Sequence, residues 1–319
     1  MMESLIADSV AQKASDLHLC SGCQPVIRVA GRLQTLSTIR LHHQSLNDDL
    51  CALLSTVQQQ RFSADKQLDL AYQHAAYGRM RINLFFQQRG ISAAIRFIRE
   101  TIPTLAEINA PQIVYHLAEK KHGLILVTGA TGSGKSTSLA AFIQHINLTQ
   151  ARHIVTLEDP IEFIYQNQQC LIQQREIGHH TVGFLAALTA LLRQDPDIIL
   201  IGELRDRETI QVALTLAETG HLVLASLHTH SAIAAISRLI EGVESDRRAL
   251  VSTQLSQSLV AVLCQRLVPH PAGGRYAQHE VLINTAAVSH LIREGQWSQL
   301  RSLMQTGKQQ GMQLMPTAD

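Results

Sequence analysis

The sequence predicts an α/β protein in two parts: a small mixed α+β module at the N-terminus, then a mainly parallel sheet covered by helices. Three observations carry that expectation. Short, largely apolar runs recur beyond residue 120, at Leu124 to Thr128, Ile154 to Leu157, Ile198 to Ile201 and Leu222 to Ser226, and they alternate with stretches of helical periodicity. Buried parallel strands and their crossover helices produce that alternation. The first run leads straight into the glycine-rich segment Gly129-Ala130-Thr131-Gly132-Ser133-Gly134-Lys135-Ser136-Thr137, which is followed by an amphipathic stretch. Nearer the N-terminus the strand-like segments instead alternate apolar and polar residues, as half-buried strands do.

In chain order, a polar amphipathic helix comes first, followed by a strand over Pro25-Val26-Ile27-Arg28-Val29 and a turn at Gly31. A helix is expected over Asp48 to Gln60. Arg79 to Phe86 and Ile91 to Ile98 form a hairpin through Gly90 that closes a sheet. The segment Glu100 to Leu105 contains Pro103, which breaks regular pairing. The boundary is therefore placed near Thr101, giving an N-terminal domain over 1–100, a linker over 101–113 and a second domain over 114–319. From Asp246 onward the spacing of Leu250, Leu255, Leu259, Val262 and Leu263 predicts helix, and the tail from Thr306 reads as loosely ordered.

Composition bounds the function. In 319 residues, 45% are hydrophobic and 17% charged, which excludes intrinsic disorder. Twenty-seven Lys and Arg against 26 Asp and Glu leave a net charge of +1, and aromatics make up 4%. Phosphate tracking and base stacking both lack material, so no nucleic-acid partner is expected. No apolar run approaches the ~20 residues that span a bilayer, and Met1 to Asp8 lacks a basic segment followed by an apolar one, so a cytoplasmic protein is expected. The five cysteines are an odd number suited to reduced thiols. Cys20-Ser21-Gly22-Cys23 is a CxxC without the second pair a structural zinc requires, so no structural zinc is expected and the thiols read as inert.

The segment Gly129 to Thr137 satisfies the phosphate-loop pattern between a strand and a helix. Its glycines let successive N–H groups point at phosphates, Lys135 reaches the β and γ phosphates of ATP, and Ser136 offers a hydroxyl to Mg²⁺. Asp195-Pro196-Asp197-Ile198-Ile199-Leu200-Ile201-Gly202-Glu203 delivers Glu203 at the end of an apolar strand, where open α/β sheets place their ligands. A carboxylate there can hold the water shell of Mg²⁺ or polarise an attacking water, or it can simply pair with Arg205 or Arg207. Thr156-Leu157-Glu158-Asp159-Pro160-Ile161-Glu162 again sets acids at a strand end, and spacing does not choose among Glu158, Asp159 and Glu162. His221 and His228 flank a further strand, and by themselves they read first as satisfied core or surface residues.

Taken together and in this order, the phosphate loop, the acidic segment, Leu200 to Asp206 and Thr219 to Thr229 resemble the motifs of the secretion and type IV pilus ATPase superfamily, the GspE/PulE family. Ala14-Ser15-Asp16-Leu17-His18-Leu19 resembles its N-terminal signature. Ala287-Val288-Ser289-His290-Leu291-Ile292-Arg293-Glu294-Gly295 is similar to the C-terminal signature of the PilT-like retraction branch, with Val288, Ser289 and His290 where that branch has Ile, Arg and Asn. The tetracysteine insert of assembly and type II secretion relatives is missing. The resemblance implies a PAS-like N-terminal domain, a RecA-like ATPase domain binding ATP and Mg²⁺, and a homohexamer driving pilus retraction and twitching from an inner-membrane platform protein, at the membrane periphery. It further implies Glu203 and Glu162 as candidate general bases, Glu158, Asp159 and Glu162 as an Asp box, and Ser136 and Glu203 near the metal. His221 and His228 match a His box, and Arg81 and Arg96 match arginines that contact nucleotide phosphates. A pilus assembly or type II secretion ATPase, and a nucleotide-responsive scaffold without motor activity, are the alternatives.

Overall fold

Period-two alternation near the N-terminus produces strands with one wet and one dry face. The computed structural model describes residues 1–98, 101–270 and 274–316. The chain forms two compact units, Met1–Thr101 with Glu162–Ile164, and Ile102–Ile161 with Tyr165–Asp319.

In the first unit, α1 (Met2–Ala11) leads into β1 (Asp16–Cys20), β2 (Val26–Val29) and β3 (Arg32–Thr35). Next come α2 (His43–Cys51), α3 (Thr56–Asp65), β4 (Gln67–His74), β5 (Gly78–Gln87) and β6 (Gly90–Phe97). The strands form one six-stranded sheet in the order β3-β2-β1-β6-β5-β4, and each pairing is antiparallel. Leu17 lies opposite both Ile27 and Ile95, and Ile82 opposite both Ile95 and Leu70, so one apolar row crosses the sheet and faces the core. The single helix expected over Asp48 to Gln60 is instead two. Ser55 accepts a hydrogen bond from Gln58 N while the Gln58 side chain accepts from Ser55 N, and this capping box starts a new helix at Thr56.

In the second unit, α4 (Ile113–Leu117) precedes β7 (Gly123–Thr128), α5 (Lys135–Thr149), β8 (His153–Glu158), β9 (Leu171–Glu176) and α6 (Phe184–Leu191). They are followed by β10 (Ile198–Ile201), α7 (Arg207–Glu218), β11 (Leu222–Leu227), α8 (Ala232–Glu241) and α9 (Arg248–Ser258). Finally come β12 (Leu259–Pro269), β13 (Arg275–Ile283), α10 (Ala286–Arg293) and α11 (Leu300–Thr306). The seven-stranded sheet has the order β13-β12-β7-β11-β10-β8-β9, parallel throughout except for the β12–β13 pair. Every residue of β7, β10 and β11 is buried, which accounts for their uninterrupted apolar character.

Helical periodicity misreads part of the C-terminal region. Leu255 lies in a helix, but Leu259, Val262 and Leu263 belong to β12, which pairs with β7 and extends the sheet. A continuous apolar run buried on both faces carries no period, so tertiary pairing decides its state. The tail is also less loose than expected: Met312 is buried and Gln313 exchanges backbone hydrogen bonds with Val281. Among the described residues no helix is long and apolar enough to cross a membrane.

Candidate nucleotide site

Because β7, β8, β10, β11 and β12 run parallel, everything that follows their last residues gathers on one edge of the sheet. That edge receives the loop 129–134 after β7, Asp159 after β8, Gly202 and Glu203 after β10, and His228 after β11. The loop turns through positive φ at Gly129, Gly132 and Gly134 before α5 begins at Lys135. Gly129 is required twice over, since its φ is +148° and a Cβ there would overlap the carbonyl oxygen of Gln265. Gly202 allows a close approach of another kind, because a Cβ on it would come within 3.2 Å of Leu157 O.

A chain of polar contacts links these strand ends. Lys135 is buried and its Nζ donates to Gly129 O at 2.9 Å and Ala130 O at 3.1 Å. It also lies 3.4 Å from His228 Nδ1, which sits 3.4 Å from Thr131 Oγ1 as well. On the other side of the ring, His228 Nε2 is 3.3 Å from Glu203 Oε1. The ammonium can only donate and the carboxylate can only accept, so the tautomer with its proton on Nε2 satisfies both neighbours. Arg205 Nε donates to Glu203 Oε2 at 2.8 Å, and its Nη1 reaches Asp159 Oδ2 at 3.4 Å. The hydrogen bond and charge of Glu203 raise the Arg205 pKa above its ordinary value. The surface pairing of Glu203 with Arg205 is therefore real, yet it coexists with the contact to the phosphate-loop lysine through His228.

The other predicted residues are placed differently. His221 precedes β11 and lies at the opposite edge of the sheet, about 20 Å away for a six-residue strand. There its Nδ1 lies 3.0 Å from Leu216 O, so within the chain the two histidines lie apart. Glu158 accepts from Thr156 Oγ1 at 2.7 Å and from Gln174 Nε2 at 3.3 Å. Glu162 lies beyond the cis Asp159–Pro160 bond, half-buried, and is not a member of the contact chain from Lys135 to Asp159. Ser136 is exposed at the first turn of α5 and Thr137 follows it half-buried. Arg81 and Arg96 are direct cross-strand partners and so project from one face of the first unit's sheet. Each faces a carboxylate: Arg96 Nε donates to Asp16 Oδ1 at 2.9 Å, and Arg81 Nε lies 3.7 Å from Asp69 Oδ1.

Sequence reasoning missed Gln265. This residue of β12 is 2% exposed and donates from Nε2 to Ser133 O at 2.6 Å, while its backbone carbonyl abuts Gly129. It braces the phosphate loop at two points. A glutamine in an apolar stretch, Val262-Leu263-Cys264-Gln265, was the available signal, because a buried amide needs a polar partner. The residues of the C-terminal signature that differ from the retraction branch have ordinary structural partners: Val288 is fully buried, Ser289 Oγ donates to Ser256 O at 2.7 Å, and His290 contacts Arg293 at 3.3 Å.

A phosphate loop, a strand-end glutamate and a bridging histidine on the edge of a mainly parallel sheet define a RecA-like P-loop ATPase core, here preceded by an N-terminal α+β domain. The chain belongs to the type II/IV secretion system protein family, whose match extends over residues 1–315. It is 48% identical over 316 residues to the Escherichia coli (strain K12) protein YggR, described as uncharacterized, covering 98% of this chain and 94% of the relative. It is 42% identical over 311 residues to the type IV pilus retraction ATPase PilT of Pseudomonas aeruginosa, covering 98% and 90%. The fold superposes on the crystal structure of the pilus retraction motor PilT with bound ADP at a TM-score of 0.90 and 39% identity, covering 98% of this chain and 90% of that one.

Proposed function

We propose that this chain is an ATP-hydrolysing motor of the pilus-retraction type, working as a homohexameric ring on an inner-membrane platform protein. The observation that carries the reading is the contact chain Lys135–His228–Glu203, which ties the phosphate-binding lysine to a strand-end carboxylate through one imidazole. An arriving triphosphate competes with Gly129 O and Ala130 O for the Lys135 ammonium. Movement of Lys135 toward the γ-phosphate alters what His228 Nδ1 meets, and through Nε2 alters the hold on Glu203. Glu203, oriented from one side by His228 and from the other by Arg205, serves as the base that aligns the attacking water. The oxygen donors Ser136 and Glu203 suit a hard cation such as Mg²⁺, which would neutralise charge on the β and γ phosphates.

Differential affinity for ATP and for ADP is the free energy that drives the stroke. Steady-state hydrolysis across a protein concentration series, with particle mass measured by light scattering, tests the reading. Turnover is expected to rise with the hexamer-sized fraction, and Glu203→Gln is expected to bind ATP while losing turnover by roughly 10²-fold or more. Normal hydrolysis by Glu203→Gln would refute its role, and tight binding without turnover in an assembled ring would favour the scaffold alternative.

A further inference from the structure

The CxxC that composition reads as inert is built differently from the chain's other thiols. Cys20 ends β1, and Cys23 N donates to Cys20 O at 3.0 Å, closing a tight turn through Ser21 and Gly22. Such a turn brings its first and fourth Cα atoms within about 7 Å, the separation a disulfide spans. The turn is held from outside: Gly22 N donates to Leu41 O at 2.8 Å, Leu41 N to Cys23 O at 2.9 Å, and Arg40 Nη1 to Gly22 O at 3.1 Å. Polar groups address both sulfurs. Arg89 Nη1 lies 3.3 Å from Cys23 Sγ, and Gln87 Nε2 lies 3.5 Å from Cys20 Sγ. Both thiols are partly exposed, whereas Cys170 and Cys264 are buried.

We propose that Cys20 and Cys23 form a redox-active dithiol on the N-terminal unit, which closes to a disulfide by exchange with a small-molecule disulfide such as oxidised glutathione. The two sulfurs have distinct parts. A hydrogen bond from the Cys20 thiol, and then the Arg89 guanidinium, hold the Cys23 pKa below its ordinary value, while burial and Cys23 itself raise that of Cys20. Cys23 is therefore the attacking thiolate and Cys20 the resolving thiol. The Cys23 thiolate displaces one glutathione thiolate from the oxidant and forms a mixed disulfide. Cys20 then loses its proton to solvent, attacks the Cys23 sulfur and expels the second glutathione thiolate. Two protein thiols are oxidised and one glutathione disulfide is reduced to two thiols. Closing so small a ring constrains little of the unfolded chain, so the bond is a reversible local modification rather than a structural staple.

Cys51 is the internal control. It is partly exposed, but burial and Asp48 raise its pKa, and its thiol is directed 3.9 Å away to Asn47 Oδ1. The test uses the reduced full-length protein, incubated with oxidised glutathione, quenched by alkylation and digested with trypsin. Cleavage after Lys13 and Arg28 puts Cys20 and Cys23 on one peptide and Cys51 on another. The expected product is the 14–28 peptide lighter by two hydrogens and closed to alkylation, with Cys51 still alkylated. Arg89→Gln, a surface change, is expected to slow formation of the mixed disulfide by roughly threefold to tenfold. A 14–28 peptide that keeps two alkylatable thiols, that stops at a glutathione adduct, or that reacts no faster than Cys51 would overturn the proposal.

Discussion

The first unit's sheet is one-sided and the second unit's is two-sided, and each carries its charge in the only place its burial allows. In the antiparallel sheet, the row Ile27–Leu17–Ile95–Ile82–Leu70 faces the core, and the adjacent row one residue along is Arg28–Asp16–Arg96–Arg81. In the second unit's sheet both faces of β7, β10 and β11 are covered, and none of those three strands carries a charged residue. Glu203 and His228 lie just beyond strand ends, and Lys135 starts α5 after the loop that follows β7. A charged row can be retained for pairing and surface contact alone, whereas strand-end groups converge on one edge and form a site.

The comparison breaks most sharply at Lys135. If the strand-end edge is the nucleotide site, Lys135→Ala lowers ATP affinity by roughly 10²-fold, about 3 kcal/mol, measured by titration with a fluorescent analogue. Unchanged affinity would place the site elsewhere.

His279 is the next largest effect and probes the burial of the parallel sheet. It lies opposite Gln265 on β13, and burial lowers its pKa to about 4. Its unfolded value is about 6.5, so the unfolded chain binds the extra proton between these two values. Stability is fully present above about pH 6.5 and falls as pH drops toward 4, by about 3 kcal/mol at most. His279→Gln is expected to flatten that part of the pH profile of the urea midpoint.

Gln265→Leu keeps the volume of the side chain but removes the donor to Ser133 O. ATP affinity is expected to fall about tenfold with the fold retained by circular dichroism. An unaffected loop would make Gln265 a packing residue only.

Asp16→Asn gives the smallest effect and tests the charged row. Burial raises the Asp16 pKa, but hydrogen bonds from Ser15 and Arg96 outweigh it, and the net shift is downward. Its contribution is present above the unfolded value near pH 4 and is lost as pH falls through the folded one. The variant is expected to cost about 1 kcal/mol at neutral pH and to match the parent in strong acid, read from urea midpoints. A loss of turnover with no loss of stability would instead make the row part of the catalytic apparatus.

The elements legible in the sequence are those whose period or turn chemistry is local. Arg79 to Phe86 and Ile91 to Ile98 alternate, and they form β5 and β6 within a residue at each end. The Ser55–Gln58 capping box was equally local, and reading it would have divided the helix expected over Asp48 to Gln60. β12 was not legible, because a run buried on both faces looks the same in a helix and in a central strand. Within the site, the phosphate loop and Glu203 are readable from strand-then-motif order, while the separation of His221 from His228 depends on strand direction.

By itself, the sequence determined the phosphate loop, the alternating N-terminal hairpin and the apolar strands, because glycine tolerance, side-chain period and burial are properties of neighbouring residues. Only the tertiary structure decided that His228 bridges Lys135 to Glu203, that Gln265 braces the loop and that Arg96 meets Asp16. Those contacts join residues far apart in the chain, and parallel register and strand order, which no local pattern encodes, bring them within hydrogen-bonding distance.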